Sequence, residues 1–309
     1  MPHEKIRKPK PDIHQDLTNT IIDLLEKVDI NDYQPPFAGF TTQGLPYNPA
    51  TNLTYQGINI LNLWSAQHSR QLPSNEWATF KQWKDMGAHV KKGEKGSRVV
   101  FYKTLLKDKT NSQGDIEEIK IPMLKLYTVF NVAQVEGYEV QIPDTPTDDK
   151  VERIALIEEF CTNTRADIRH DEPEAYFLVN GDYINMPPTQ LFVDSNGRSA
   201  TENYYATLLH ELTHWTGALR RLNREGITNR KSDTIIAKEE LIAELGSAFL
   251  CAQLGIEQTQ PKGHALYIKS WLQGLREDKT LIFKAAAQAA KAQEYLNALN
   301  DQAQLGEPA

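Results

Sequence analysis

Apolar side chains return at helical intervals near the start of the chain. Ile13, Leu17, Ile21, Leu24, Leu25 and Val28 predict an amphipathic helix over residues 12–28. The periodicity then stops. Residues 32–49 (DYQPPFAGFTTQGLPYNP) mix prolines with Gly, Thr and Asn, so a long loop is expected, of the length that is usually functional or mobile. Helices are predicted again over 57–67 and 79–86. Residues 98–104, 118–125 and 127–132 are rich in β-branched and aromatic side chains and predict strands, with the polar KDKTNSQGD as the solvated tip of a hairpin between the first two. The first domain is therefore expected to be α+β and to span residues 1–142.

PDTPTDDK at 143–150 has no periodicity and the composition of a linker. A second domain, 151–309, is expected after it. It opens with a helical pattern over 151–162, continues with strand-like runs at 175–179 and 182–186, and is then helical almost to its end, which makes it a mainly helical domain with a small sheet. The last long pattern, 280–299, is Ala-rich and keeps its larger apolar residues at Leu281, Ile282, Phe283, Tyr295 and Leu296, which suits close helix packing.

Length agrees with this division, because 309 residues suit two hydrophobic cores better than one. No apolar run is long enough to span a bilayer and the first residues are polar, so neither a membrane segment nor a secretory signal is expected and the cytoplasm is the expected compartment. Cys161 and Cys251 have no neighbours at metal-ligand spacing and read as buried apolar fillers. The net charge of −7 is unevenly spread: residues 1–140 balance to +1 and residues 141–309 to −8. Within the first half, Lys81–Lys109 holds nine basic residues against three acidic ones, the local excess a phosphate-binding surface requires.

Two constellations carry chemistry. Ser199-Ala-Thr-Glu202 has the spacing of a capping box, and Tyr205, Leu208, Leu209 and Leu212 follow at helical intervals up to Gly217, so the HELTH sequence at 210–214 lies on a helix. His210 and His214 then share one face at roughly 5–6 Å, a separation at which two imidazoles hold one metal ion. Glu211 emerges beside them, placed to take a proton from water rather than to ligate. A catalytic site of this type uses a third protein ligand and keeps one position open. The helical run from Lys238 offers Glu240 and Glu244 on one face as acids for that role, while Lys238 and Glu239 read as a solvated face. His68, His89, His170 and His264 stand alone and read as structural or exposed.

The second constellation is the basic stretch. Lys91, Lys92, Lys95 and Arg98 surround Gly93 and Gly96, which would let backbone N–H groups approach a phosphate. Lys81 and Lys84 precede them, and aromatic residues interleave. A basic groove with aromatic faces is how proteins hold single strands without reading sequence. Trp64, Phe80 and Trp83 sit at helical spacings that suit a core, so Tyr47 and Tyr55, near the long loop, are the expected stacking residues. The alternative for the lysines is a merely solvated surface.

HELTH followed by the acidic helix resembles the gluzincin metallopeptidases. That resemblance implies Glu240 as third ligand and Glu244 as acceptor for a histidine N–H, with Glu244 the ligand if the register is one turn off. It also implies one divalent ion, zinc in the first instance, with manganese or another as alternatives. Asp182-Tyr-Ile-Asn-Met186-Pro, Tyr204 to Gly217 and Arg221-Leu-Asn-Arg224 resemble the zincin domain of ArdC-type antirestriction proteins. Tyr55 to Trp64, Trp77 to Trp83, Met86 to Gly96 and Val99 to Tyr102 resemble the same family's N-terminal domain. The resemblance implies single-stranded DNA binding by the first domain and protection of incoming plasmid DNA from host restriction during conjugation. In zincins generally the strand before the metal helix is an edge strand that pairs with an extended peptide, which would make 175–186 the substrate side; a simple core strand is the alternative for the same residues. Two rival readings stand beside it. One is an intracellular regulatory protease, targeted by its DNA module, with a host restriction or regulatory protein as peptide substrate. The other is a DNA-coating protein with a structural metal.

Overall fold

A computed structural model describes residues 12–28, 37–41, 44–110, 116–138, 150–195, 198–258 and 265–305. The first half contains, in chain order, α1 (Ile13–Leu25), α2 (Ala38–Thr41), β1 (Tyr47–Asn48), β2 (Leu53–Thr54), α3 (Ile58–Arg70), β3 (Trp77–Thr79), α4 (Phe80–Asp85), β4 (His89–Val90), β5 (Ser97–Thr110), β6 (Ile116–Asn131) and β7 (Val135–Glu136). The second contains α5 (Lys150–Asn163), β8 (Asp167–Arg169), β9 (Tyr176–Leu178), β10 (Tyr183–Asn185), α6 (Ala200–Thr216), α7 (Glu225–Thr228), α8 (Asp233–Leu254), α9 (Ala265–Glu277) and α10 (Leu281–Leu305). The fold is α+β. It divides into two units, Gln43–Thr145 and Met1–Thr42 together with Pro146–Ala309.

The Gln43–Thr145 unit is built on an antiparallel sheet in the order β3-β6-β5. β5 and β6 stay in register from Ser97 opposite Val129 to Thr110 opposite Ile116, so the strands expected over 118–125 and 127–132 are one strand. Pro122 does not break it. β3 pairs only with Val129, Phe130 and Asn131, so among the described residues β6 at Pro122 has no strand on its other side, where a missing N–H is tolerated. The hairpin tip at 111–115 lies outside the described residues.

α3 closes the outer edge of β5. The Asn59 side chain donates to the Val100 carbonyl and accepts from the Val100 N–H, each at 2.8 Å, replacing the partners a bare edge would lack. Leu63, Trp77, Val99 and Val129 form one core beneath the sheet, and Ala78, Trp83, Ala88, Val132 and Val135 another. α4 starts at a capping box between Thr79 and Gln82 and is only six residues long. It buries Trp83, whose ring N–H donates to the Phe130 carbonyl, and leaves Phe80, expected in the core, 57% exposed.

α1 forms where the periodicity places it, with Asp12 capping the N–H groups of His14 and Gln15. Its partner surface differs from the expectation, which put residues 12–28 in the first domain. The buried stripe Leu17, Ile21 and Leu25 belongs to the other unit, where the Thr18 hydroxyl donates to the Lys279 carbonyl and Lys279 and Arg276 pair with Asp12 and Glu26. An apolar face needs a partner, and order along the chain does not say which. α2 follows it into the same unit, where the Gln258 N–H donates to the Thr41 hydroxyl at 3.2 Å. Of the expected linker 143–150, only Lys150 is described, as the first residue of α5.

A three-stranded sheet in the order β8-β10-β9 flanks the helices of this unit. β10 is central, parallel to β8 and antiparallel to β9, so β9 is an edge strand. β8 was not apparent from the sequence, because its three residues alternate with charge and read as loop. Phe177, Ile184 and Met186 pack with Leu208, Leu209 and Leu212 of α6, Leu250 of α8 and Leu296 of α10. Buried alanines at 285, 286, 289 and 292 line the face of α10, and Cys161 and Cys251 are buried as expected. Among the described residues no helix is long and apolar enough to cross a membrane.

Candidate functional site

The capping box read from Ser199 and Glu202 is present, and α6 runs without interruption to its C-cap at Gly217. HELTH therefore sits in the last turns of a buried helix. His210 and His214 face each other with ring centroids 4.8 Å apart. α8 crosses beside them, and the closeness depends on Gly246: a Cβ there would lie 2.5 Å from the Thr213 side chain, inside van der Waals contact. That approach brings the Glu240 carboxylate to 3.7 Å from His210 Nε2 and 3.5 Å from His214 Nε2.

These three groups suit a metal ion. Their ligand atoms lie within 4.8 Å of one another and all three residues are buried. Two imidazoles and a carboxylate at about 2.0–2.1 Å from a tetrahedral centre would stand ~3.3 Å apart, so the two Glu240 edges need to shorten by a few tenths of an ångström and the His210–His214 edge, which lies within 4.8 Å, closes by rotation of the rings. Burial opposes a charge on His214, but Glu240 and Glu239 outweigh it and push its pKa up to about 10. Burial likewise opposes charge on Glu240, and the histidines hold its carboxyl well below the usual range. Glu211 lies outside the ligand group. Burial raises its pKa, against the pull of His210 and His214 and of the Phe177 backbone N–H in β9.

Glu239 corrects the expectation of a solvated face. It is buried, and its Oε1 lies 3.3 Å from His214 Nδ1. Arg224, also buried, donates to that carboxylate through Nε and Nη2 at 3.1 and 2.7 Å, and ties itself to the Thr213 carbonyl and the Thr216 hydroxyl at 2.6 and 2.7 Å. Glu239 thus orients the His214 ring so that Nε2 turns to Glu240, and Arg224 compensates its charge. The resemblance had given the acceptor role to Glu244. That carboxyl is instead held by the Gln258 side chain, at 3.2 Å, and burial next to Glu240 raises its pKa well above the usual range. The sequence signal was available in Arg224, a cation seven residues after the helix-ending Gly217, but its pairing requires the turn through α7.

Two more groups approach Glu240. Arg230 Nη2 lies 3.9 Å from its second oxygen, and Tyr267 of α9 has its hydroxyl pKa raised by burial and then by the Glu240 charge. Neither was singled out from the sequence. His264 lies outside the described residues. Glu239→Gln keeps the side-chain shape but removes the charge, and is expected to weaken metal binding about 10- to 100-fold with helix content unchanged. Competition with a chelator measures this, and an unaltered dissociation constant would refute the orienting role.

The expected nucleic-acid residues divide. Lys81, Lys84, Lys91, Lys92, Lys95 and Arg98 are all exposed. Lys91 Nζ donates to the Ala133 carbonyl. Gly96 is required by packing rather than by phosphate approach, since a Cβ there would meet Thr128 at 2.4 Å. Tyr55 is not a stacking platform: it is 6% exposed, packs in the core with Leu63 and Trp77, and donates its hydroxyl to the Trp77 carbonyl at 2.9 Å. Tyr47 is half-buried with its hydroxyl on Glu76. Among the described residues of this unit the large exposed rings are Phe80, Phe101 and Tyr127, and the last two meet on the sheet.

With fold and site in place, the likenesses are specific. Residues 155–288 match the zincin-like metallopeptidases, and residues 11–130 match the N-terminal domain of the anti-restriction factor ArdC. The two matches define a zincin-like domain combined with an ArdC-type N-terminal domain. The antirestriction ArdC protein from the R388 plasmid is 38% identical, and its metal-free and Mn(II)-bound crystal structures align with TM-scores of 0.74 and 0.72. They cover 94% of this chain and 99% and 98% of theirs. The chain belongs to the ArdC antirestriction family. The uncharacterized protein y4eC of Sinorhizobium fredii (strain NBRC 101917 / NGR234) is 38% identical over 304 residues, 96% of this chain and 95% of that protein. A DNA primase TraC of Escherichia coli is 34% identical over 308 residues, 94% of this chain but 27% of the primase.

Proposed function

We propose that this protein binds single-stranded DNA through its Gln43–Thr145 unit, holds one divalent ion at His210, His214 and Glu240, and protects incoming plasmid DNA from host restriction during conjugation. The observation that carries the reading is the buried His210–His214–Glu240 group in a chain that aligns almost end to end with a plasmid antirestriction protein whose structure has also been solved with Mn(II). Manganese and zinc both fit the donor set. When bound, such an ion polarises a substrate oxygen and acidifies water. Glu211 takes and returns the proton, Glu239 with Arg224 holds the His214 ring in place, and the cytoplasm is the compartment in which incoming DNA is met.

A regulatory peptidase is the second reading, favoured by the β9 edge. Among the described residues β9 pairs only with β10, and its Phe177 N–H acts on Glu211, so an extended peptide from a host restriction or regulatory protein could add to that edge beside the base.

The DNA reading is tested with the full chain. Affinity for single strands is expected to fall steeply with salt, because phosphate contacts release counterions. Neutralising Lys91 and Lys92 should flatten that slope by roughly one unit each at most. Equal affinity for duplex and single strand would leave only a basic surface, without stacking.

A further inference from the structure

The sheet of the Gln43–Thr145 unit carries a groove of about 790 Å3, within the ~300–1,000 Å3 of small-molecule sites. The register of β5 and β6 explains how it forms. Ser97, Val99 and Phe101 stand opposite Val129, Tyr127 and Lys125, so these six side chains share one face of the sheet. At one end Val99 and Val129 are sealed in the core against Tyr55. At the other, Phe101 and Tyr127 are 46% and 42% exposed and meet edge to face, 5.4 Å between centroids. Two large rings at the mouth of an apolar groove mark a surface that something else covers.

The lining also defines the charge of the occupant. Lys81 of α4 and Lys125 of β6 both border the groove and both are exposed, and among the described residues no acidic side chain lines it. An occupant must combine a flat apolar face with negative charge close by. A single-stranded nucleotide has both, whereas in a duplex the base faces are covered by their neighbours and a neutral apolar peptide has no use for the lysines. We propose that this groove takes an unstacked base of single-stranded DNA, its ring against Phe101 and Tyr127 and its flanking phosphates against Lys81 and Lys125. The proposal rests on the reading of this unit as a single-strand binder and names where that binding is centred. It replaces Tyr55, which is the floor of the groove, by the two rings above it.

The test measures binding of the full chain to a fluorescent oligothymidylate at low salt. Phe101→Ala and Tyr127→Ala should each weaken binding by roughly 5- to 150-fold, the range found for removal of a ring from a base stack, with little change in the salt slope. Phe101→Trp, which restores an aromatic face, should bind as the parent does. Joint neutralisation of Lys81 and Lys125 should flatten the slope instead. An oligomer carrying 5-iododeoxyuridine should, on irradiation, crosslink to the peptides containing Phe101 or Tyr127. If the parent binds single strands but both alanine variants stay within about twofold of it, or an abasic strand binds equally well, the groove is not the base site. If the parent binds no single strand at all, the reading of the unit falls, and this proposal with it.

Discussion

Protein carrying His214→Ala is expected to retain no metal after desalting, where the parent retains about one divalent ion per chain. The substitution removes one of three ligands and leaves Glu240 with a single imidazole to share a cation. Metal analysis after loading with Mn(II) or Zn(II) measures it directly. Thermal unfolding offers a second reading, because an ion at one hundred times its dissociation constant adds about 2.7 kcal/mol to the folded state, and that increment should vanish in the variant. Glu240→Gln should behave in the same way, and Glu244→Gln should keep its metal. The opposite result for the two glutamates would move the third ligand one helical turn along α8. Undiminished metal in His214→Ala would dispose of the site.

Glu211→Gln separates chemistry from binding. Glu211 is outside the group of ligand atoms, so the metal should remain at one per chain. Any metal-dependent peptide hydrolysis should fall by about 10²–10⁴-fold, the usual contribution of a positioned base. Affinity for single strands should be unchanged, because the exposed lysines and rings belong to the other unit. Transfer of a plasmid into a restricting host then decides between the readings. Full protection by Glu211→Gln would mean that the DNA is shielded by coating alone. Loss of protection, with metal content and DNA affinity normal, would make hydrolysis of a host protein the mechanism.

The metal helix was legible because every signal for it is local: the cap at Ser199, the apolar repeat and the i, i+4 histidines lie within twenty residues. Glu240 followed from helical spacing and the gluzincin resemblance. Glu239 was misread because its burial comes from Arg224, and a contact made through an intervening turn leaves no periodic trace. Tyr55 failed in a related way. Its position near a loop suggested exposure, but Trp77 and the β5–β6 ladder close over it. The strand at 116–131 was divided at Leu126 in the expectation, yet the register with β5 runs through Leu126 opposite Val100 without a break, because pairing along a ladder is set by the partner strand and leaves little trace in local composition.

The placement of α1 has a consequence for how the chain is made. A ribosome delivers α1 and α2 long before α9 and α10, yet the Lys279 carbonyl that Thr18 meets and the Gln258 N–H that reaches Thr41 belong to the last fifth of the protein. The Gln43–Thr145 unit can complete its sheet while synthesis continues. The leading helix must meanwhile wait with Leu17, Ile21 and Leu25 uncovered, so through much of the later part of its synthesis the nascent chain is a finished insert between two parts of an unfinished host. A stop codon shortly before residue 258 would leave the insert intact and strand the first helix without the surface it was made for.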